Sequence, residues 1–151
     1  MRLARDFRDQ LGQLVALVLP APLSPPLSLA HHELRRSLHL AFGLATTHGR
    51  VVSVAPVLGG SHDARALCLS FRLPEGVRWG RPAAVPLPPA LCDSRWRGGR
   101  PRPLSILPHR RAAANVWFLH HGREALCLRL GLGGQAEFLR YRPRLGAWTR
   151  A

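Results

Sequence analysis

The sequence predicts an α+β domain: two N-terminal helices packed on a mainly antiparallel sheet of five or six strands that ends in a β-meander. Three observations carry this reading. Apolar residues recur at intervals of three and four through the first 49 positions, the period drops to two after residue 50, and the chain closes with three short apolar runs joined by glycine-containing breaks. Helices followed by strands is the order of an α+β fold. At 151 residues the chain has the usual size of one domain, able to bury about two-thirds of its unfolded surface. Within that single domain, 1–151, residues 1–49 are helical, 50–73 a hairpin, 74–113 a proline- and arginine-rich irregular segment, and 114–151 the meander.

The first helix is predicted over residues 2–19. Leu3, Phe7, Leu11, Leu14, Val15 and Val18 form one stripe, Arg2, Arg5, Asp6, Arg8 and Asp9 lie away from it, and Pro20 ends the run. A second reading of residues 1–30 is a cleaved leader, with a basic start, no charge from Gln10 to Ala30, and small residues Ser28 and Ala30 ahead of His31. Prolines 20, 22, 25 and 26 interrupt that stretch and two aspartates precede it. The expectation is therefore a retained helix, a cytoplasmic protein, and no membrane span, which would need about twenty unbroken apolar residues.

Residues 20–26 read as a stiff connector. Ser28 is then the predicted N-cap of a second helix through Ala45, whose inward stripe is Ala30, Leu34, Leu38, Ala41 and Ala45. Gly49 stops it; Gly43 either weakens it or marks its end. Residues 51–57 and 66–73 follow as two strands around the polar turn Gly59-Gly60-Ser61-His62-Asp63, a pairing that reads as a hairpin. Pro56 lacks an N–H, so its strand belongs at an edge or ends early. From Pro74 to Arg111 eight prolines exclude long helices, and short edge strands are expected at 83–91 and 103–107.

The meander has runs 116–121, 125–132 and 135–142, separated by Gly122-Arg123 and Gly133-Gly134. Period two puts Leu126, Leu128, Leu130 and Leu132 on one face and Ala125, Cys127, Arg129 and Gly131 on the other. Cys68 and Cys127, both off the leucine faces, belong to the sheet's second side or to a satellite core.

Charge is the main functional signal. There are 22 basic residues against 8 acidic, a net +14, and every basic one is arginine. Such a field attracts polyanions. A GC-rich coding sequence competes as an explanation, since lysine is absent and Ile, Asn, Tyr and Met occur once each; it accounts for arginine over lysine, but not for the shortage of acids. The densest stretch is Arg95-Trp96-Arg97-Gly98-Gly99-Arg100-Pro101-Arg102. Arginines neutralise phosphates and a tryptophan stacks on a base, so Arg95, Trp96, Arg97, Arg100 and Arg102, with Arg140, Arg142 and Arg144, form the candidate nucleic-acid set. The competing reading is a solvated basic loop with Trp96 tucked into the core. No helix-turn-helix, RNP strand or zinc finger accompanies the loop.

Other chemistry is weakly signalled. His32 and His39 share a helical face, but the H-E-x-x-H spacing is missing. Three cysteines, Cys68, Cys92 and Cys127, include no C-x-x-C pair, so neither a disulfide framework nor structural zinc is expected. Ser61-His62-Asp63 has the residue types of a hydrolase triad packed into one turn, where they do not converge. Gly131-Leu-Gly133-Gly134 lies between strands, unlike a phosphate-binding loop. No catalytic residues, metal or cofactor are assigned. The leading expectation is a non-enzymatic binding or assembly module with a protein partner; the alternatives are a basic nucleic-acid-binding accessory protein and, last, a small Cys- or His-dependent enzyme.

Overall fold

The computed structural model of the chain describes residues 22–57, 67–91 and 101–151. Their secondary structure is one helix and two sheets, a mixed α+β content. The predicted helix at 2–19 lies outside the described residues, as does the 59–63 turn.

Helix α1 spans Pro25–His48. It begins earlier than the sequence suggested because Ser24, not Ser28, is its N-cap, and Pro25 and Pro26 fill its first turn. Proline is tolerated there: its fixed φ is already helical and its missing N–H has no intrahelical partner to lose. The Ser28 N–H donates to the Ser24 carbonyl at 2.9 Å. At the other end Gly49 adopts a left-handed φ of 59° and donates to the Ala45 carbonyl, the αL stop that glycine supplies without steric cost. Gly43 stays inside the helix. Leu27, Ala30, Leu34, Leu38, Ala41 and Ala45 are buried, the predicted stripe with Leu27 added.

The single sheet expected from the sequence is two. In the first, β1 (Val52–Pro56), β2 (Leu67–Phe71), β4 (Leu104–Leu107) and β5 (Arg111–Ala112) lie in the order β2-β1-β4-β5. In the second, β3 (Arg78–Trp79), β6 (Asn115–His121), β7 (Glu124–Leu130), β8 (Ala136–Arg142) and β9 (Ala147–Arg150) lie in the order β3-β6-β7-β8-β9.

The expected hairpin is corrected: β1 and β2 are parallel, with Val52 opposite Leu67 and Pro56 opposite Phe71. A tight turn cannot join parallel strands. The antiparallel neighbour of β1 is instead β4, which sets Leu104 opposite Val54 and Ile106 opposite Val52. All four side chains are fully buried, so this pairing concentrates apolar surface under α1. The β1–β4 ladder ends at Val54, before Pro56 would have to donate.

In the proline-rich segment, 83–91 forms no strand. It makes a turn closed by Val85 N–H to the Pro82 carbonyl at 2.9 Å and a 3-10 helix over Pro89–Leu91, as its prolines dictate. The strand at 103–107 does form, but inside the first sheet and not at its edge. The two-residue strands β3 and β5, and β9, were not anticipated.

The meander matches its reading. Trp117 faces Leu128, Leu119 faces Leu126, and Phe138 faces Leu128 from the other side. Leu126, Leu128 and Leu130 join α1 and the inner face of the first sheet in one core. Leu132 does not join them; the strand stops at Leu130 and Leu132 is 73% exposed in the turn beyond. Cys127 points the other way, into a smaller core with Leu91 and Phe118, flanked by Leu87, Val116, Leu139 and Trp148. Here the 81–91 segment straps across the outer face of the second sheet, pinned by Trp148 Nε1 donating to the Pro86 carbonyl at 2.8 Å.

The two sheets meet at two corners. At one, Phe71, Trp79 and Trp117 cluster, with Trp79 and Trp117 edge-to-face at 5.0 Å between ring centroids. At the other, the Ala112 N–H reaches the Leu132 carbonyl at 3.4 Å, and Gly134 lies against the Arg110 carbonyl and the Phe42 ring. Gly134 has φ 74°, and a Cβ there would collide with that carbonyl. Gly134→Ala should therefore destabilise the protein by about 2 kcal/mol or more, against a negligible change for Gly133→Ala, whose neighbour is only the movable Gln135 side chain. Urea denaturation of the two variants checks this.

Candidate functional site

Strands β6 to β9 run alternately up and down, so the β6–β7 and β8–β9 connections emerge at one end of the second sheet. The first is the two-residue turn Gly122-Arg123, with Gly122 at φ 58°. The second closes through Leu145 N–H to the Arg142 carbonyl at 3.0 Å and Gly146 N–H to the Pro143 carbonyl at 3.3 Å. Arg123 and Arg144 are exposed on these turns and Arg142 is half-buried.

The N-terminus of α1 is fastened to the same end. The Ser24 N–H donates to Glu124 Oε2 at 3.0 Å, and Ser24 Oγ lies 3.2 Å from His121 Nδ1. His121 and Glu124 are opposite each other, flanking the β6–β7 turn. The carboxylate thus sits where the helix dipole favours negative charge. Arg140, opposite Leu126, points inward beside them and is only 9% exposed. Burial lowers its pKa, Arg142 adds to that lowering, and Glu124 opposes it.

Ser, His and Glu are the residue types of an acyl-transfer triad, yet the geometry serves attachment. Glu124 accepts from the Ser24 backbone, and the His121 ring lies close to Gly76, where a Cβ would approach Cδ2 to 3.4 Å. Sequence reasoning missed this trio. Ser24 followed by two prolines is a helix-start signature that could have found it.

The candidate set is divided in space. Arg140, Arg142 and Arg144 lie at this end and grade from buried to exposed. Arg102 lies at the opposite end: its carbonyl accepts from Trp117 Nε1 at 2.7 Å and Asn115 Nδ2 at 3.2 Å, at the start of β6. Seven residues of β6 separate the two ends by about 20 Å. Arg95, Trp96, Arg97 and Arg100 lie outside the described residues. The three described tryptophans are engaged within the fold: Trp117 is fully buried, Trp79 packs on it, and Trp148 packs on Phe118 and Tyr141.

Burial pushes the Cys127 thiol up to about 12, opposed by Arg129 and aided to a smaller extent by Glu137, so it is protonated at neutral pH. Cys68 is exposed on β2. His32 and His39 are exposed on α1, and among the described residues no group of three His, Cys, Asp or Glu is placed to hold a metal. Nor is any described helix long and apolar enough to cross a membrane. Comparison with protein-family models, curated proteins and solved structures gives no match.

His31 supplies a pH signature. Its Nε2 accepts from Arg35 Nε at 2.7 Å and its ring lies 4.7 Å from that of Phe138, so the folded state holds it neutral. Burial, then Arg35 and His32, lower its pKa to about 4 from 6.5. Between those values the unfolded chain binds the extra proton and the folded one does not, so stability falls as pH drops from about 6.5 to about 4 and levels off below. Allowing for solvent screening, the loss should be about 1–2 kcal/mol. Denaturation across this range checks it: His31→Asn should remove that component of the slope.

Proposed function

We propose that the chain is a non-enzymatic binding module that receives an acidic segment of a partner protein on the hairpin end of its second sheet. The observation that carries this is the division of labour among its polar groups. Ser24, His121 and Glu124 hold the helix, His31 holds Arg35, and Cys127 is buried, whereas Arg123 and Arg144 face outward beside half-buried Arg142. Two turn arginines and a third at the end of β8 suit carboxylates, which guanidinium groups take in bidentate pairs. In this reading the buried Arg140 sets the local field and does not contact the partner.

Nucleic acid remains the competing partner through the 95–102 loop. Two features favour protein. The described tryptophans are packed and offer no stacking platform, and the described members of the arginine set are split between two ends of the sheet, with no single track for a phosphate backbone.

Fluorescence anisotropy with a labelled glutamate-rich peptide and with single- and double-stranded oligonucleotides tests the choice. Peptide binding should weaken with salt and fall about tenfold when Arg123, Arg142 and Arg144 are replaced together by alanine, with Arg50→Ala and Arg72→Ala as neutral controls. Oligonucleotide binding that is lost on changing Arg97 and Arg100, with a salt slope flattened by about 2, would give the site to nucleic acid instead.

A further inference from the structure

Among the described residues the sheet edges are β2 and β5 in the first sheet and β3 and β9 in the second. Three of these strands are short and charged. β3 and β5 have two residues each and β9 has four, and they carry the exposed arginines Arg78, Arg111 and Arg150. Short length and charge keep an open edge from pairing with another chain. β2 has neither protection: it runs for five residues, Leu67–Phe71, with no charged side chain and no proline.

The register shows which of its backbone groups are on offer. β2 lies parallel to β1 with Phe71 opposite Pro56, and the Phe71 carbonyl accepts from the Val57 N–H at 2.9 Å. In a parallel ladder a residue that bonds to its neighbour does so with both its N–H and its C=O, and the next residue turns both away. Leu67, Leu69 and Phe71 therefore bond to β1, while the N–H and C=O groups of Cys68 and Ser70 point to the open edge. The side chains of Cys68 and Ser70 are exposed, and those of Leu67 and Leu69 pack half-buried at the rim of the main core.

We propose that β2 pairs with β2 of a second copy of the chain, antiparallel about a two-fold axis at Leu69, so that two four-stranded sheets become one continuous sheet. In this register Cys68 of each copy lies opposite Ser70 of the other, and each of these pairs exchanges both backbone hydrogen bonds. Leu69 faces its own mate and Leu67 faces Phe71, so apolar side chains meet on the core side and small polar ones on the outer side. Moving the axis to Cys68 or to Ser70 leaves only one hydrogen-bonded pair within the strand. Charge selects the occupant. A second copy carries a net +14, which the arginine-bearing edges repel, and β2 is the edge where two copies meet with no charge in either strand. An acidic strand would find no countercharge in β2.

Sedimentation equilibrium of the full-length chain under reducing conditions tests the proposal. The chain should dimerise, and Ser70→Arg, which gives β2 the charge the other edges have, should raise the dissociation constant about tenfold or more. Ser70→Pro should do the same, because the N–H it removes is not part of the β1 ladder; circular dichroism checks that both variants are folded. A chain that stays monomeric at its highest soluble concentration, or a dimer that persists in both folded variants, would overturn the proposal. So would a monomer whose Tm falls in both variants, which would give the edge to another segment of the same chain. Oxidation of the natural chain carrying Cys92→Ser tests the register. Adding Ser70→Cys should yield a disulfide-linked dimer, since opposite residues have Cα atoms about 5.5 Å apart. Adding Cys68→Ser to that variant should abolish the link, because the two copies of position 70 then lie more than about 7 Å apart; equal yields from the two variants would overturn the register.

Discussion

Strand β7 sends apolar side chains into two separate cores, and the rest of the fold follows from the need to cover both. Leu126, Leu128 and Leu130 face α1 and the first sheet, while Cys127 faces the strap and Trp148. Burying one leucine removes about 1.5–3 kcal/mol of unfavourable water contact, so neither face can be left wet. The first requirement brings α1 across the sheet and sets β1 beside β4. The second pulls the 81–91 segment over the outer face, where its prolines provide a rigid cover that needs few backbone hydrogen bonds.

The polar chemistry is subordinate to that arrangement. A helix laid across a sheet brings its N-terminal N–H groups close to a hairpin end, where they need acceptors. Glu124 meets that need at Ser24, whose Oγ also lies against His121 Nδ1. The cross-strand pair Arg129–Glu137, at 2.8 Å on the outer face, and the contact of Glu124 with the helix start occupy two of the few acids. With so few acids, the outward arginines keep their field.

Local chemistry was legible in the sequence and pairing across distance was not. The stripe of α1, the Gly49 stop, the two hairpins of the meander and the opposite orientations of Leu128 and Cys127 all depend on period and turn residues within a few positions. The parallel β1–β2 pair and the β1–β4 ladder depend on partners up to some fifty positions away, chosen by where apolar area can be buried. Strands β3 and β5 have two residues each, too few to show any period. Among site residues, Arg140, Arg142 and Arg144 were legible as a basic set, but nothing in the sequence said that Arg140 would be buried. Ser24 was hidden by its prolines, which read as connector and serve as the first helical turn.

Native-state hydrogen exchange tests the central claim, that β7 is the doubly covered strand on which both cores depend. The amides of residues 126–130 should exchange slowest of all and only through global unfolding, with those of the edge strands β2 and β9 opening earlier. Exchange of β7 at the rate of β9, or protection that survives in α1 and β1 after β7 has opened, would contradict it.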